Sequence, residues 1–150
     1  MILQVIVISD RVCRTMTYLS AIAYGFPRIN FAWIKNCISS KKLLPMENYA
    51  LQVGFSTLKN RDIEPHEVEG TNLRGLFKDE HFVVASTDYN FTDAWKKLLI
   101  RLGAEVTVKN AGKLNRLKKF SVVISEAKTC PQTIKIDAQE KDKFLVNTQW

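Results

Sequence analysis

The chain has 150 residues, 46% hydrophobic and 25% charged, with 22 lysines and arginines against 15 aspartates and glutamates. This is globular material, enough for one domain or two small ones, and the net charge of +7 attracts polyanions without naming one. No apolar run approaches the ~20 residues that span a bilayer, and the three scattered cysteines Cys13, Cys37 and Cys130 exclude a disulfide framework and favour the cytosol or nucleus.

The opening MILQVIVISD lacks a basic leader and a small-residue cleavage site, so residues 2–9 read as a strand buried on both faces rather than a signal peptide. Residues 10–24 read as a turn and a helix, with Met16, Leu19 and Ala23 on one side and Leu19 and Ile22 towards the core. Gly25 stops the helix and Pro27 blocks its resumption. RINFAW returns as a strand. In FAWIKNCISSKKLL, Trp33, Ile34, Cys37 and Ile38 share one helical face. Lys41 and Lys42 suit the negative end of that helix, and Pro45 ends it. Residues 46–77 hold short apolar pieces and an acidic cluster (Asp62, Glu64, Glu67, Glu69). They read as a linker with one short strand or turn near NYALQVGF. HFVVAS is the next strand. NFTDAWKKLLIRLGA is a helix with Thr92 or Asn90 as N-cap and an apolar face through Phe91, Trp95, Leu98, Leu99 and Leu102; Gly103 terminates it. EVTV, FSVVIS and KFLV follow as strands. Alternating helices and strands predict a parallel sheet covered on both faces, with ligand sites at the carboxyl ends of its strands.

Two segments repeat one order of features. Ser9, Cys13 and Trp33 in the first half stand against Ser125, Cys130 and Trp150 in the second, offset by 116, 117 and 117 residues. Self-similarity at a fixed offset means two copies of one unit. The first tryptophan opens a helix, whereas the second is the last residue given. The first copy is therefore expected to lack its N-terminal part and the second its last helix.

A strand, a Gly-Phe-Pro or Gly-Ala turn, a strand and a Trp-led helix with a cysteine four residues on (WIKNC) resemble the BRCT domain. The pair resembles tandem BRCT repeats, and three stretches look like checkpoint adaptors of fungi and their vertebrate counterpart: VCRTMTYLSAIAYGFPRINFAWIKNC, LLPMENYALQVGFS and NFTDAWKKLLIRLGAEVTVKN. The resemblance implies an α/β fold of two repeats, each a four-stranded parallel sheet flanked by helices. Residues 1–45 would be the later part of the first repeat, 46–77 the linker and 78–150 the second repeat. It further implies a nuclear, non-enzymatic, cofactor-free and metal-free adaptor of the DNA-damage checkpoint that grips phosphorylated peptides. A histone tail at broken DNA, checkpoint kinases or other damage-response proteins would be the partners. Self-association is a further role, and no membrane is involved. Carried over by position, the peptide-fixing arginine is Arg14, beside Thr15. The phosphate-binding lysine falls on Thr17, and the first-strand Ser or Thr and Gly lie before Met1. Contacts beyond the phosphate fall on Tyr89 and Asn90, and Met16, Leu19, Phe91, Trp95 and Leu98 would pack the repeats together. The inherited phosphate pocket is thus expected to be incomplete, and binding by this chain weak.

Other chemistry finds less support. Cys13 beside Arg14 would need an arginine six residues on to form a cysteine-phosphatase loop, and that position is Leu19. His66 and His81 have no partners at metal-ligand spacing, and the glycines fit no phosphate loop, so a flavodoxin-like enzyme ranks last. The alternative function is nucleic-acid binding by the basic stretch from Lys96 to Lys119.

Overall fold

In a computed structural model, residues 5–56, 59–63, 73–112, 114, 120, 122–140 and 143–147 are described. Two compact units divide the chain, Met1–Leu73 and Arg74–Trp150.

The first unit is built on a parallel pair, β1 (Val7–Ser9) and β2 (Arg28–Asn30), in the register Val7↔Arg28, Ile8↔Ile29, Ser9↔Asn30. Parallel neighbours need a crossover, and α1 (Met16–Tyr24) supplies it. Thr15 caps the helix: its side chain accepts the Tyr18 N–H at 3.3 Å. Gly25, at φ 70°, closes the other end. The expected core side of α1 is only partly right. Ala23 is buried, but Met16, Leu19 and Ile22 are half-buried, and Tyr18 and Ala21 go deepest. Tyr18 reaches inward because its hydroxyl has an acceptor, the Gln52 carbonyl at 2.7 Å. The fully buried Arg28 donates to the Phe26 carbonyl at 2.9 Å.

The expectation of a first strand buried on both faces fails for its described part. Val7 to Ser9 are half-buried and Val5 is 48% exposed, since β2 is the only strand paired with β1 among the described residues. RINFAW is a strand only to Asn30. The Asn30 side chain accepts the Ala32 N–H at 2.8 Å, and α2 (Ala32–Ser40) starts there. Trp33 lies in that helix and donates its indole N–H to the Leu44 carbonyl at 2.9 Å, which folds the following segment back. Lys41 ends α2 in the left-handed region, φ 52°. Beyond it, a 3₁₀ turn (Met46–Tyr49) leads to Ala50, which bridges Ile29 in antiparallel sense. A hairpin follows: β3 (Gly54–Ser56) with β4 (Arg61–Ile63). Glu64, His66, Glu67 and Glu69 lie outside the described residues.

The second unit is a four-stranded, wholly parallel sheet of order β6-β5-β7-β8, from β5 (His81–Ala85), β6 (Glu105–Lys109), β7 (Val122–Ser125) and β8 (Phe144–Asn147). Side chains alternate across it. Phe82, Val84 and Ile124 face one way, where Leu99 of α3 (Tyr89–Arg101) and the partly buried Phe91 and Trp95 cover them. Val83, Ala85 and Val123 face the other way, against Ile134 and Ala138 of α4 (Gln132–Glu140) and against Leu114, Phe120 and Cys130. The α/β fold with a parallel sheet and flanking helices is as read from the sequence, and α4 is added to it. Asp88, not Thr92 or Asn90, caps α3: its carboxylate accepts the Asn90 and Phe91 N–H groups at 2.8 and 3.3 Å. Thr92 sits a turn further in and donates its hydroxyl back to the Tyr89 carbonyl.

The repeat has a structural counterpart. Ser9 faces Asn30 and Ser125 faces Asn147, and each serine precedes its crossover helix by seven residues, 16 − 9 and 132 − 125. The cysteines differ. Cys130 is buried in the core, whereas Cys13 is half-buried among polar groups. Trp150 lies outside the described residues.

Two substitutions check this packing. Ile134→Ala empties a fully buried site and is expected to destabilise the chain by about 2–5 kcal/mol. Gly103 has φ 97°, and a Cβ there would meet the Arg74 carbonyl oxygen; Gly103→Ala is expected to cost about 1–3 kcal/mol. Urea unfolding of both variants measures each loss, and values near zero would contradict the packing described.

Candidate functional site

Polar side chains gather where the parallel strands end, and each unit has its own group. In the first unit β1 ends at Ser9, whose hydroxyl donates to the Arg11 carbonyl at 2.7 Å and so bends the chain out of the strand. Asn30, level with Ser9 on β2, donates its amide to the Asp10 carbonyl at 3.0 Å. One asparagine thus holds the loop after β1 and the start of α2. Cys13 and Arg14 then lead, outside any helix or strand, to the Thr15 cap, whose own backbone is extended.

Arg11, Arg14, Thr15 and Thr17 are all exposed around the N-terminal end of α1. The first turn of α1 carries no acidic residue. The helix dipole therefore adds its positive end to two guanidinium groups, with the exposed Asp10 as the opposing charge beside them. Cys13 sits within this group, its sulfur 3.4 Å from the Thr15 hydroxyl and 3.9 Å from that of Ser9. The Thr15 hydroxyl stabilises the thiolate and lowers the Cys13 pKa below the usual thiol value, against the smaller, opposing effect of partial burial.

In the second unit, Ser86, Thr87 and Asp88 follow β5 and lead into α3. Ser86 is buried; its hydroxyl donates to the Thr129 hydroxyl at 2.7 Å and accepts the Asp88 N–H at 2.9 Å. The Thr87 N–H donates to the Thr129 carbonyl at 2.9 Å. These bonds tie the loop after β5 to the loop after β7. Beside them opens a cavity of about 260 Å³ between the first turns of α3 and the end of β6, lined by Ser86, Thr87, Tyr89, Thr92, Asp93, Lys96, Val108 and Asn110.

Of the residues read from the sequence, Arg14, Thr15 and Thr17 come together at the start of α1. Tyr89, 77% exposed, lies on the rim of the cavity, and Asn90 follows it on α3 without lining the cavity. Met16 and Leu19 are half-buried in the first unit. Phe91 and Trp95 pack on the second unit's own sheet, and Leu98 is buried. The sequence reading missed Ser86, Thr87, Asp93, Val108 and Asn110. The signal was present: S-T-D stands between an apolar strand and a helix, at the strand end where ligand sites concentrate. Lys113, Arg116, Lys118 and Lys119 of the basic stretch lie outside the described residues, whereas Lys97 pairs with Asp93 at 2.7 Å. Among the described residues no three His, Cys, Asp or Glu side chains cluster to hold a metal, and no helix is long and apolar enough to cross a membrane. His81 bonds Thr107 at 2.8 Å, across neighbouring strands.

A family model of the BRCA1 C Terminus (BRCT) domain matches residues 75–150. The chain belongs to the BRCT family. Its sheet order and two helical layers are those of a BRCT unit, and BRCT domains are in general non-enzymatic interaction modules. Among solved structures, the BRCT5–BRCT6 domains of S. pombe Brc1 align with 91% of this chain and 67% of that one, at 20% identity and a TM-score of 0.54. That match shows a shared tandem BRCT fold. The BRCT3,4 domains of S. pombe Rad4 align with 83% of this chain and 58% of that one, at 19% identity and a TM-score of 0.40. Yeast Rtt107, crystallised with Mms22, aligns with 97% and 26%, at 17% identity and a TM-score of 0.36.

The Cys13 geometry has a measurable consequence. Thr15→Val removes the hydroxyl that stabilises the thiolate. The pH profile of iodoacetamide alkylation at Cys13, followed by mass spectrometry, is expected to move to higher pH. Loss of the cap also costs about 1 kcal/mol. An unmoved profile would contradict the role given to Thr15.

Proposed function

We propose that this BRCT chain is a phosphopeptide-binding adaptor of the nuclear DNA-damage checkpoint, and that it takes the phosphorylated segment at the carboxyl end of β1. The observation that carries this reading is the grouping of Arg11, Arg14, Thr15 and Thr17 at the N-terminal end of α1, whose first turn has no acidic residue. Arginine suits phosphate because its planar fork donates two parallel N–H groups. A phosphorylated side chain brings about −1.5 to −2 charges, which two arginines and a helix terminus favour together. The family resemblance supports Arg14 as the residue that fixes the peptide. The partners proposed are phosphorylated damage-response proteins, a histone tail or checkpoint kinases among them, with self-association as a further role.

Thr17 sets the strength. It stands where the resemblance expects a lysine, and its hydroxyl gives one hydrogen bond without a charge. A charged hydrogen bond contributes about 1.5–3 kcal/mol, and each 1.4 kcal/mol is about a factor of ten in affinity. The natural chain is therefore a weak phosphopeptide binder, and Thr17→Lys is expected to tighten binding by roughly ten- to a hundredfold. Anisotropy titrations of both chains with matched phosphorylated and plain peptides test this. Phosphate-independent binding, or no gain in the variant, would contradict it. The competing nucleic-acid reading would show in the same instrument as binding to duplex DNA that collapses with added salt, the logarithmic slope tracking the number of phosphates contacted.

A further inference from the structure

Strand β1 has one edge without a neighbouring strand among the described residues. Val7 and Ser9 turn their backbone groups to β2: the Val7 N–H donates to the Pro27 carbonyl at 2.9 Å, and the Ser9 carbonyl accepts the Phe31 N–H at 2.8 Å. Bonding groups alternate between the two sides of a strand, so the N–H and C=O of Ile8 point to the opposite edge. The second unit shows what such an edge holds when it is filled. The counterpart of β1 there is β7, matched through Ser9 and Ser125, and it is flanked by β5 on one side and β8 on the other. Val123, Ile124 and Ser125 are buried, whereas Val7, Ile8 and Ser9 are only half-buried.

Nothing in β1 blunts this edge. Exposed strand edges are usually protected by a charge, a proline or a bulge. Residues 5–9 read Val-Ile-Val-Ile-Ser, and the first charges, Asp10 and Arg11, follow the end of the strand. The outer strand β6 of the second unit differs: it begins with Glu105 and ends with Lys109. A pair of strands is marginal in water and gains from a third and a fourth. The first unit already has an apolar row to extend, since Ile8 lies level with Ile29, which is 2% exposed.

We propose that β1 pairs with β1 of a second copy of this chain, antiparallel and across a two-fold axis at Ile8. In that register each Ile8 N–H donates to the Ile8 carbonyl of the other copy, the reciprocal pair of an antiparallel ladder. One four-stranded sheet results, β2-β1-β1-β2, with as many strands as the second unit's own sheet. Ile29 and Ile8 of both copies form a continuous apolar row on one face of it. The contact uses the same patch on each copy and so closes at two. A second copy is favoured over a foreign strand because the edge is its own complement: both sides are bare and uncharged, and the register leaves neither bonding group of Ile8 over. This gives a surface to the self-association in the proposed function and rests on that part of it alone.

Sedimentation equilibrium of the full chain over a concentration series tests this, with amide exchange of the ¹⁵N-labelled chain alongside. A monomer–dimer equilibrium is expected. The Ile8 amide should exchange more slowly as concentration rises, while the Val106 amide, which points away from β5, should not change. Ile8→Pro deletes the outward N–H and leaves the bonds of Val7 and Ser9 to β2 in place; it should weaken the dimer roughly ten- to a hundredfold. Val106→Pro, at the outer edge of β6, should leave the dimer unchanged. The exchange series on the natural chain decides the matter even if the Ile8 variant fails to fold. A chain monomeric at every concentration, growth beyond the dimer, or equal effects of the two proline variants would overturn the proposal. A dimer whose Ile8 amide exchanges independently of concentration would overturn the surface and leave self-association standing. Neither result bears on phosphopeptide binding, which the anisotropy titration measures.

Discussion

The side-by-side pairing of β5 and β7 is the constraint on which the second unit depends. Phe82↔Val122, Val83↔Val123, Val84↔Ile124 and Ala85↔Ser125 run in parallel register, and Val83, Val84, Ala85 and Val123 have no exposed surface. A strand pair buried on both faces needs a layer on each side. Parallel direction also forbids a tight turn, so each return must cross over. Helix α3 covers one face and carries the crossover from β5 to β6, and α4 covers the other and carries the crossover from β7 to β8. Burying a side chain such as Ile134 in this way contributes about 1.5–3 kcal/mol.

From this constraint follows the placing of function. When strands run the same way, their carboxyl ends lie at one edge, and the loops to the helices emerge there. Both units put serine at a strand end and asparagine level with it on the neighbour, Ser9 with Asn30 and Ser125 with Asn147. In the first unit this pairing shapes the loop that presents Arg11 and Arg14. In the second, Ser86 and Thr129 knit two loops together and leave the cavity beside them. Binding chemistry sits on loops held by rigid strands, as interaction modules require. Checkpoint function, phosphopeptide recognition and nuclear residence are proposals built on that geometry.

Much of the architecture was legible in the sequence, because hydrophobic runs bounded by glycine and proline mark strands and helix ends directly. All four strands of the second unit were visible in that way. Helix α4 was not. Asp137 falls on its buried side between Ile134 and Ala138, where the apolar pattern should continue, and it is tolerated because it accepts the Leu114 N–H at 2.5 Å. The cap of α3 was misplaced for a similar reason: several capping residues stand in S-T-D-Y-N-F-T, and only backbone geometry selects Asp88. Arg28 looks like a surface residue, yet it is fully buried. Of the proposed sites, the grouping around Arg14 could be named from the sequence through resemblance to the family. The cavity could not be, since it needs Lys96 on a helix and Asn110 after a strand to meet in space.

Native-state hydrogen exchange on the full chain tests most directly whether the β5–β7 pair holds the second unit together. Exchange free energies rise from fraying segments to the last structure to open. The backbone amides of Val83, Val84, Val123 and Ile124 should be the slowest in that unit, with those of β8 opening earlier. If these four exchange no more slowly than Leu145 and Val146 on the outer strand, the central pair is not what the unit is built on.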